Sequence, residues 1–276
     1  MKTDFGLRPL DEDKSDITFG ALFRKEPIPD EYQAETAPVK DQGNTDHCTS
    51  YGGTSSVESW EDATFCPQWT FAVSKMLSGD RDDWGQTLRW MAKAGQKYGF
   101  LPLTDEVKEF IKDKSPDFLR DINNWPDHYF QQAYPYRQKT YTFIRSVDEL
   151  KQALYKNRDT KRHAVLGLIW AWPIDREVLE LSDDGEYGHA IDAHGYKTGY
   201  IRLQNSYGTG AGDNGFHWAS DEVIQKHLKT FGAIMFIDEI EPSQARWYSD
   251  NKIKVGDSRI TIFLKRLIKI IFSWFS

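Results

Sequence analysis

The sequence is poor in cysteine, in long apolar stretches and in net positive charge. Only two of its 276 residues are cysteines, Cys48 and Cys66, which is too few for a disulfide framework in a chain of this length. We therefore expect both thiols to be reduced. No run of about 18 apolar residues occurs, so we expect no conventional membrane span. The formal net charge of −7 argues against a nucleic-acid-binding protein.

The N-terminal residues also lack the apolar core of a secretory signal peptide, and we therefore expect a non-secreted, cytoplasmic protein. No internal repeat or low-complexity tract is present. Hydrophobic residues make up 39% of the chain and aromatic residues 14%. This apolar content is enough for one large domain or two lobes and excludes disorder of the whole chain.

Hydrophobic periodicity divides the chain into a helical first half and a β-rich second half. The pattern predicts helices over residues 48–63, 67–77, 87–98, 104–114 and 146–157, and strands over residues 141–144, 164–170, 188–196, 200–205 and 232–237. The fold class is therefore α+β. We expect four parts: an N-terminal arm at 1–37, a helical lobe at 38–135, a β lobe at 136–240 and a C-terminal segment at 241–276.

Cys48 is the candidate nucleophile, because the small residues after it predict the start of a closely packed helix. A cysteine at a helix N-terminus meets the positive end of the helix dipole, which favours the reactive thiolate. A thiolate also needs a base, a group that orients the base, and donors for the oxyanion. His189 is the candidate base and Asn205 its orienting group. Gln42 and the Cys48 backbone amide are the candidate oxyanion donors.

These residues stand in motifs that resemble those of the papain-like (C1) cysteine peptidases. Gln42 lies in PVKDQG and precedes Cys48 by six residues, His189 lies in GHA, and Asn205 begins NSYGT, which a GDNGF turn follows. His189 follows Cys48 by 141 residues, a separation typical of this family. The resemblance covers residues 28–240 and is to bacterial or viral members that lack the long propeptide.

The resemblance implies a two-lobe fold, with a helical lobe, an antiparallel β-barrel-like lobe and the active site in the cleft between them. It implies a peptide or protein substrate and no cofactor. We also expect no metal site and a monomer. Four further residues match positions that contact substrate in the family, and we expect them to do so here: Trp84, Gly85, Gly188 and Tyr207.

The chain departs from the family pattern at three points. Thr49 replaces the aromatic residue that usually follows the nucleophile. Tyr207 replaces the tryptophan that follows Asn205 and Ser206, and we expect it to shield the bond between Asn205 and the catalytic histidine. Only 47 residues precede Cys48, so we expect no inhibitory propeptide of the usual length.

Other residues have simpler interpretations. His194 lies on the same predicted strand as His189, five residues on, where we expect it to face the opposite side. His47 adjoins Cys48, but a metal site needs more Cys or His ligands than this stretch supplies, and we expect His47 at the rim of the cleft. We expect Cys66 to be a buried core residue.

The C-terminal stretch 260–275 places basic residues on one face of a predicted helix and apolar residues on most of the rest. Two interpretations remain open. The segment lies on an anionic membrane surface, or it packs its apolar side on the body or on a partner protein.

The sequence therefore predicts a cysteine endopeptidase in which His189 takes the thiol proton and Cys48 attacks the peptide carbonyl. Two alternatives remain. One is an inactive module that keeps the fold for binding or for a structural role. The other is an acyl- or amide-transferase that uses the same Cys–His chemistry with an amine as acceptor.

Overall fold

The structure is a computed structural model, which describes residues 6–10, 13, 16–80, 84–181, 185 and 187–238. These residues belong to one compact unit, Met1–Ile240. The predicted amphipathic segment at 260–275 lies outside the described residues.

Nine α-helices form within the described residues, and most of them precede the sheet in the chain. They are α1 (Phe19–Leu22), α2 (Cys48–Glu58), α3 (Pro67–Ser78), α4 (Leu88–Lys97), α5 (Asp105–Ile111), α6 (Pro116–Arg120), α7 (His128–Ala133), α8 (Val147–Lys156) and α9 (Asp221–Leu228). Five of them begin at a hydroxyl side chain that accepts a backbone N–H of the first turn, which satisfies an otherwise unpaired donor. These caps are Thr87, Thr104, Ser115, Ser146 and Ser220.

Helix α2 is the centre of the helical lobe. Every residue from Cys48 to Val57 is buried, which explains why this segment is rich in small side chains. The helix ends at Glu58 rather than at the predicted residue 63. The Glu58 carboxylate accepts the backbone N–H of Phe65 and a hydrogen bond from Lys40, and so fixes the turn that leads out of the helix.

Eight strands within the described residues form one sheet, in the order β2-β8-β3-β5-β6-β7-β4, with β1 paired to β5. Their bounds are β1 (Tyr32–Gln33), β2 (Thr140–Ile144), β3 (Ala164–Trp170), β4 (Val178–Leu179), β5 (Tyr187–Lys197), β6 (Tyr200–Gln204), β7 (Phe216–Ser220) and β8 (Ala233–Ile237). The pairs are antiparallel except β4 with β7. The predicted α+β class is confirmed, but the sheet is open, with β2 and β4 at its ends, rather than closed as a barrel.

Two apolar clusters lie on either side of this sheet. One joins α8 and α9 to the sheet through Leu150, Leu154, Val223 and Ile224. The other joins α2 and α4 to the opposite side and contains Cys48. The N-terminus of α2 therefore lies against the sheet, next to β5, which carries His189.

Candidate active site

Cys48 is the first residue of α2 and is fully buried. The backbone N–H of Ala190, the residue after His189 on β5, lowers the pKa of its thiol. The strand that carries the candidate base therefore lies close to the candidate nucleophile. Cys48 and Cys66 are both free and buried, as expected for Cys66.

His189 and Asn205 are brought together by neighbouring strands. Asn205 directly follows β6, where its backbone N–H donates to the Gly215 carbonyl over 2.8 Å. Its Oδ1 lies 2.8 Å from Nε2 of His189 and also accepts the backbone N–H of Ser206 over 2.8 Å. An amide oxygen in this position holds the proton of a neutral His189 on Nε2 and leaves the lone pair on Nδ1.

Gln42 is tied to the loop that carries Asn205. Its backbone N–H donates to the Ser206 carbonyl over 2.8 Å, and its side-chain Oε1 accepts the Ser206 hydroxyl over 2.6 Å. Its Nε2 donates to the Thr45 carbonyl over 2.8 Å. A primary amide carries two N–H groups, and the bond to Thr45 uses one of them. Ser206 is thus a functional candidate that the motif contains but that sequence reasoning did not single out.

Tyr207 covers His189. The two rings are stacked, with centroids 4.6 Å apart, and the Tyr207 hydroxyl oxygen lies 3.1 Å from Nδ1 of His189. Trp170 meets both rings edge-on, at 5.6 Å from Tyr207 and 5.5 Å from His189. The residue that replaces the expected tryptophan therefore lies against the imidazole, and a tryptophan from β3 completes the cover.

Burial is the largest influence on the pKa values of Cys48 and His189. It raises the pKa of Cys48 to about 12 and lowers the pKa of His189 to about 4. The Ala190 N–H and the helix amides lower the pKa of the thiol, but their effect is smaller than that of burial. At neutral pH this arrangement therefore holds a neutral thiol and a neutral imidazole, rather than the thiolate expected from the helix terminus alone.

An N-terminal segment, Gly6–Leu10, contacts residues next to this pair. The Leu7 N–H donates to the Gly188 carbonyl over 3.0 Å, and the Arg8 N–H donates to the Gln86 carbonyl over 3.1 Å. The Gln86 N–H in turn donates to the Gly6 carbonyl over 2.6 Å. Leu7 is itself buried, in the same apolar cluster as Cys48. The segment thus connects Gln86 to Gly188, the residue before His189.

Two glycines make this approach sterically feasible. Gly85 has a φ of +68°, and a Cβ there would lie 2.1 Å from the Gly6 carbonyl oxygen. A Cβ on Gly188 would lie 2.1 Å from the Leu7 carbonyl oxygen. Any larger side chain would displace the backbone that passes between them. Both glycines were predicted to contact substrate, and both lie against the backbone of the N-terminal segment.

The residue of the helical lobe whose backbone bonds the N-terminal segment is Gln86 rather than Gly85. The Gly85 N–H donates to the carboxylate of Asp46 over 2.7 Å, whereas both backbone groups of Gln86 bind the segment. Trp84 is 55% exposed and lies 5.5 Å from the guanidinium of Arg120. No composition or spacing signal marks Gln86, because it acts through its backbone.

Two of the other histidines lie away from His189 and Asn205, and a third lies next to Asn205. His47 is buried, with its ring 4.0 Å from that of Phe71, so its predicted position at the cleft rim is wrong. His194 is buried beside His163, with ring centroids 5.7 Å apart. A third histidine, His217, lies 3.0 Å from Nδ2 of Asn205 and was not predicted, since it falls in a strand that the sequence pattern did not reveal.

Among the described residues, no cluster of three or more His, Cys, Asp or Glu side chains is placed to bind a metal ion. No helix in that part of the chain combines the length and apolarity needed to cross a membrane.

Comparison with known proteins identifies the fold. No family model matches the sequence, and no curated protein matches it. Solved structures do match. Xylellain, a cysteine protease from Xylella fastidiosa, is 18% identical with a TM-score of 0.69, over 85% of this chain and 96% of that one. Procathepsin L2 from Tenebrio molitor is 18% identical with a TM-score of 0.63, over 84% of this chain and 77% of that one.

The bromelain protease from Ananas comosus, solved in complex with the inhibitor E64, is 15% identical with a TM-score of 0.54. That match covers 77% of this chain and 100% of the bromelain chain. Xylellain, procathepsin L2 and bromelain are proteases of papain-like fold. At these identities the likeness establishes architecture, and the chain has the papain-like fold.

Proposed function

We propose that the protein is a cysteine endopeptidase in which Cys48 is the nucleophile and His189 the base. The bond between Asn205 Oδ1 and His189 Nε2 carries the proposal. It fixes the imidazole so that Nδ1 is the nitrogen available for the thiol proton. The position of Cys48 at the start of α2, directly against the strand of His189, supplies the second requirement.

In the proposed reaction the Cys48 proton passes to Nδ1 of His189, and the sulfur attacks the carbonyl carbon of a peptide bond. The developing oxyanion receives the second N–H of Gln42 and the backbone N–H of Cys48. His189 then delivers the proton to the leaving amine, which departs as the bond breaks. Water, activated by the same histidine, hydrolyses the thioester and regenerates the thiol.

This chemistry requires the groove to open. Gly6–Leu10 occupies the space beside Gly188 where an extended substrate would lie, and burial of Cys48 and His189 keeps the pair neutral. Exposure of the site to water would relieve the burial that separates the two pKa values, and the thiolate–imidazolium pair would become accessible. We therefore propose that the described form is the resting form of the enzyme.

The complete burial of Cys48 also favours a second candidate, a module that keeps this fold for binding and performs no chemistry. The two functions differ in whether Cys48 ever reacts. The active enzyme must expose its thiol during each turnover, whereas a binding module has no such need.

The test uses the full chain, a mixed peptide library and a thiol-directed epoxide, with products identified by mass spectrometry. We expect peptide hydrolysis and a single covalent adduct on Cys48. Cys48→Ala should abolish both, and Cys66→Ala, which removes the other buried thiol, should retain both. Hydrolysis that survives in Cys48→Ala would refute the mechanism. Intact peptides and an unlabelled Cys48 after prolonged incubation would favour the binding module.

A further inference from the structure

His217, on β7, lies directly behind the proposed Asn–His pair. Its Nε2 is 3.0 Å from Nδ2 of Asn205, while Oδ1 of the same amide is 2.8 Å from Nε2 of His189. All three side chains are buried. The amide of Asn205 thus has one histidine at each end.

The protonation of His217 follows from its other nitrogen. Nδ1 of His217 lies 2.7 Å from the backbone carbonyl oxygen of Arg176. A carbonyl oxygen only accepts hydrogen bonds, so Nδ1 carries a proton. In a neutral ring Nε2 then holds the lone pair and accepts an N–H from Asn205. This contact directs the NH₂ end of the amide towards His217 and its oxygen towards His189.

The surroundings of His217 favour the neutral ring. Burial is the main cause that lowers its pKa, and the positive charge of Arg202 on β6 acts in the same direction. Arg202 is itself paired with Asp213 over 2.7 Å. Trp170 meets the His217 ring edge-on at 5.2 Å. A protonated ring would also place an N–H against the NH₂ group of Asn205.

We propose that His217 is a positioning residue for the proposed peptidase reaction, which it serves by fixing the amide of Asn205 and, through it, the tautomer of His189. With the Asn205 oxygen held towards His189, the histidine proton stays on Nε2 and the lone pair stays on Nδ1. The Ser206 N–H supports the same amide orientation from the side. His217 touches neither the substrate nor Cys48 in this scheme.

The proposal rests on the proposed function for its kinetic effect but not for its geometry. His217→Phe keeps an aromatic ring of similar size against Trp170 and removes the acceptor. His217→Gln replaces the ring with a side-chain amide, whose oxygen can accept a hydrogen bond from Nδ2 of Asn205. We expect kcat to fall about tenfold in His217→Phe, the loss of roughly one buried hydrogen bond, with KM unchanged. His217→Gln should recover most of that loss.

The second measurement is ¹⁵N NMR of the histidine side chains in the full-length wild-type chain at neutral pH. We expect His217 to carry its proton on Nδ1 and His189 to carry its proton on Nε2, whether or not the protein is active. In His217→Phe the His189 signals should shift towards a mixture of tautomers. A wild-type His217 with its proton on Nε2 would overturn the proposal without recourse to any variant.

The kinetic outcomes separate the two hypotheses. If the wild type hydrolyses peptides and His217→Phe has the same kcat and the same His189 tautomer, the positioning role is wrong. Equal losses in both variants with an unchanged His189 tautomer would show a packing effect and also overturn it. If the wild type neither hydrolyses peptides nor reacts at Cys48, the proposed function fails, and the tautomer shift alone decides the role of His217.

Discussion

The hydroxyl oxygen of Tyr207 lies 3.1 Å from Nδ1 of His189, the atom that would accept the thiol proton of Cys48. Because Nε2 of His189 donates to Asn205, the lone pair on Nδ1 is available to the phenol as an acceptor. Burial and the nearby Cys48 both raise the pKa of Tyr207, so the phenol keeps its proton. In the closed groove the tyrosine therefore competes with the cysteine for the same nitrogen.

Tyr207→Phe should therefore make Cys48 more reactive. The change keeps the ring stacked on His189 and removes the competing donor, a bond of about 1 kcal/mol, so we expect alkylation of Cys48 to accelerate about fivefold. The rate is measured with iodoacetamide at pH 7, followed by mass spectrometry of the labelled peptide. Tyr200→Phe, which removes an exposed hydroxyl bonded to Glu180, is the matched control. A slower reaction in Tyr207→Phe would show that the hydroxyl assists the histidine.

Displacement of the N-terminal segment should activate the protein. Leu7→Asp places a carboxylate in the apolar cluster around Cys48, which disfavours the closed groove. We expect alkylation of Cys48 and peptide hydrolysis to rise by about tenfold or more, in line with a shift of at least 1.4 kcal/mol between closed and open populations. Val178→Asp, at an exposed strand position, should change neither rate. Rates in Leu7→Asp equal to those of the wild type would contradict the blocking role of Gly6–Leu10.

Acid should destabilise the fold through its buried histidines. Burial lowers the pKa of His47 and of His189 to about 4 and that of His194 to about 3. Below pH 6.5 the unfolded chain binds protons that the folded chain does not. The free energy of unfolding should thus be greatest above pH 6.5 and fall as the pH approaches 4, by up to about 3 kcal/mol for each such group.

Urea denaturation at pH 7, 6, 5 and 4 measures this slope. His47→Phe, which keeps a ring against Phe71, should flatten the slope because it removes one of the groups that titrate. A slope that does not change in His47→Phe would indicate that His47 is already exposed to protons in the folded state.

The buried ion pair between Lys40 and Glu58 should be costly to break from one side only. The two groups lie 2.8 Å apart, and burial lowers the pKa of Lys40 and raises that of Glu58. Lys40→Met leaves an unpaired buried carboxylate and should lower the free energy of unfolding by about 3–5 kcal/mol. The double variant Lys40→Met/Glu58→Gln should lose less, because no charge is stranded.

Urea denaturation at neutral pH distinguishes these variants. The control is Lys25→Met, which breaks an exposed ion pair with Asp148 and should cost at most about 1 kcal/mol. A double variant less stable than Lys40→Met would indicate that packing, rather than charge pairing, is the main contribution of these side chains.

Local patterns predicted the main elements well where local chemistry determines them. The apolar run at 164–170 is a central strand with those bounds, β3. Ser146, the first residue of the helix predicted at 146–157, caps α8 by accepting the Glu149 N–H, and the Glu149 carboxylate accepts the backbone N–H of Arg145. Strand β7 was missed because buried His217 interrupts the alternation that marks a strand.

The sequence likewise predicted some features of the candidate site and not others. Motif spacing singled out His189, Asn205 and Gln42, and the structure places His189 against Asn205 and Gln42 against the neighbouring Ser206. The charge state of Cys48 was not foreseeable from its helix position. It depends on burial, which tertiary packing produces: Leu7, in the same apolar cluster as Cys48, lies 41 residues earlier in the sequence.

Lys40 bonds both α2, which begins at Cys48, and the loop that follows Asn205. Its ammonium bonds Thr54 and Glu58 on α2, and its carbonyl accepts the N–H of Gly208, in the loop that carries Asn205 and Tyr207. The short stretch from Lys40 to Cys48 therefore links the start of α2 to the loop that carries Asn205. Insertion or deletion of a residue in this stretch should displace Cys48 relative to that loop.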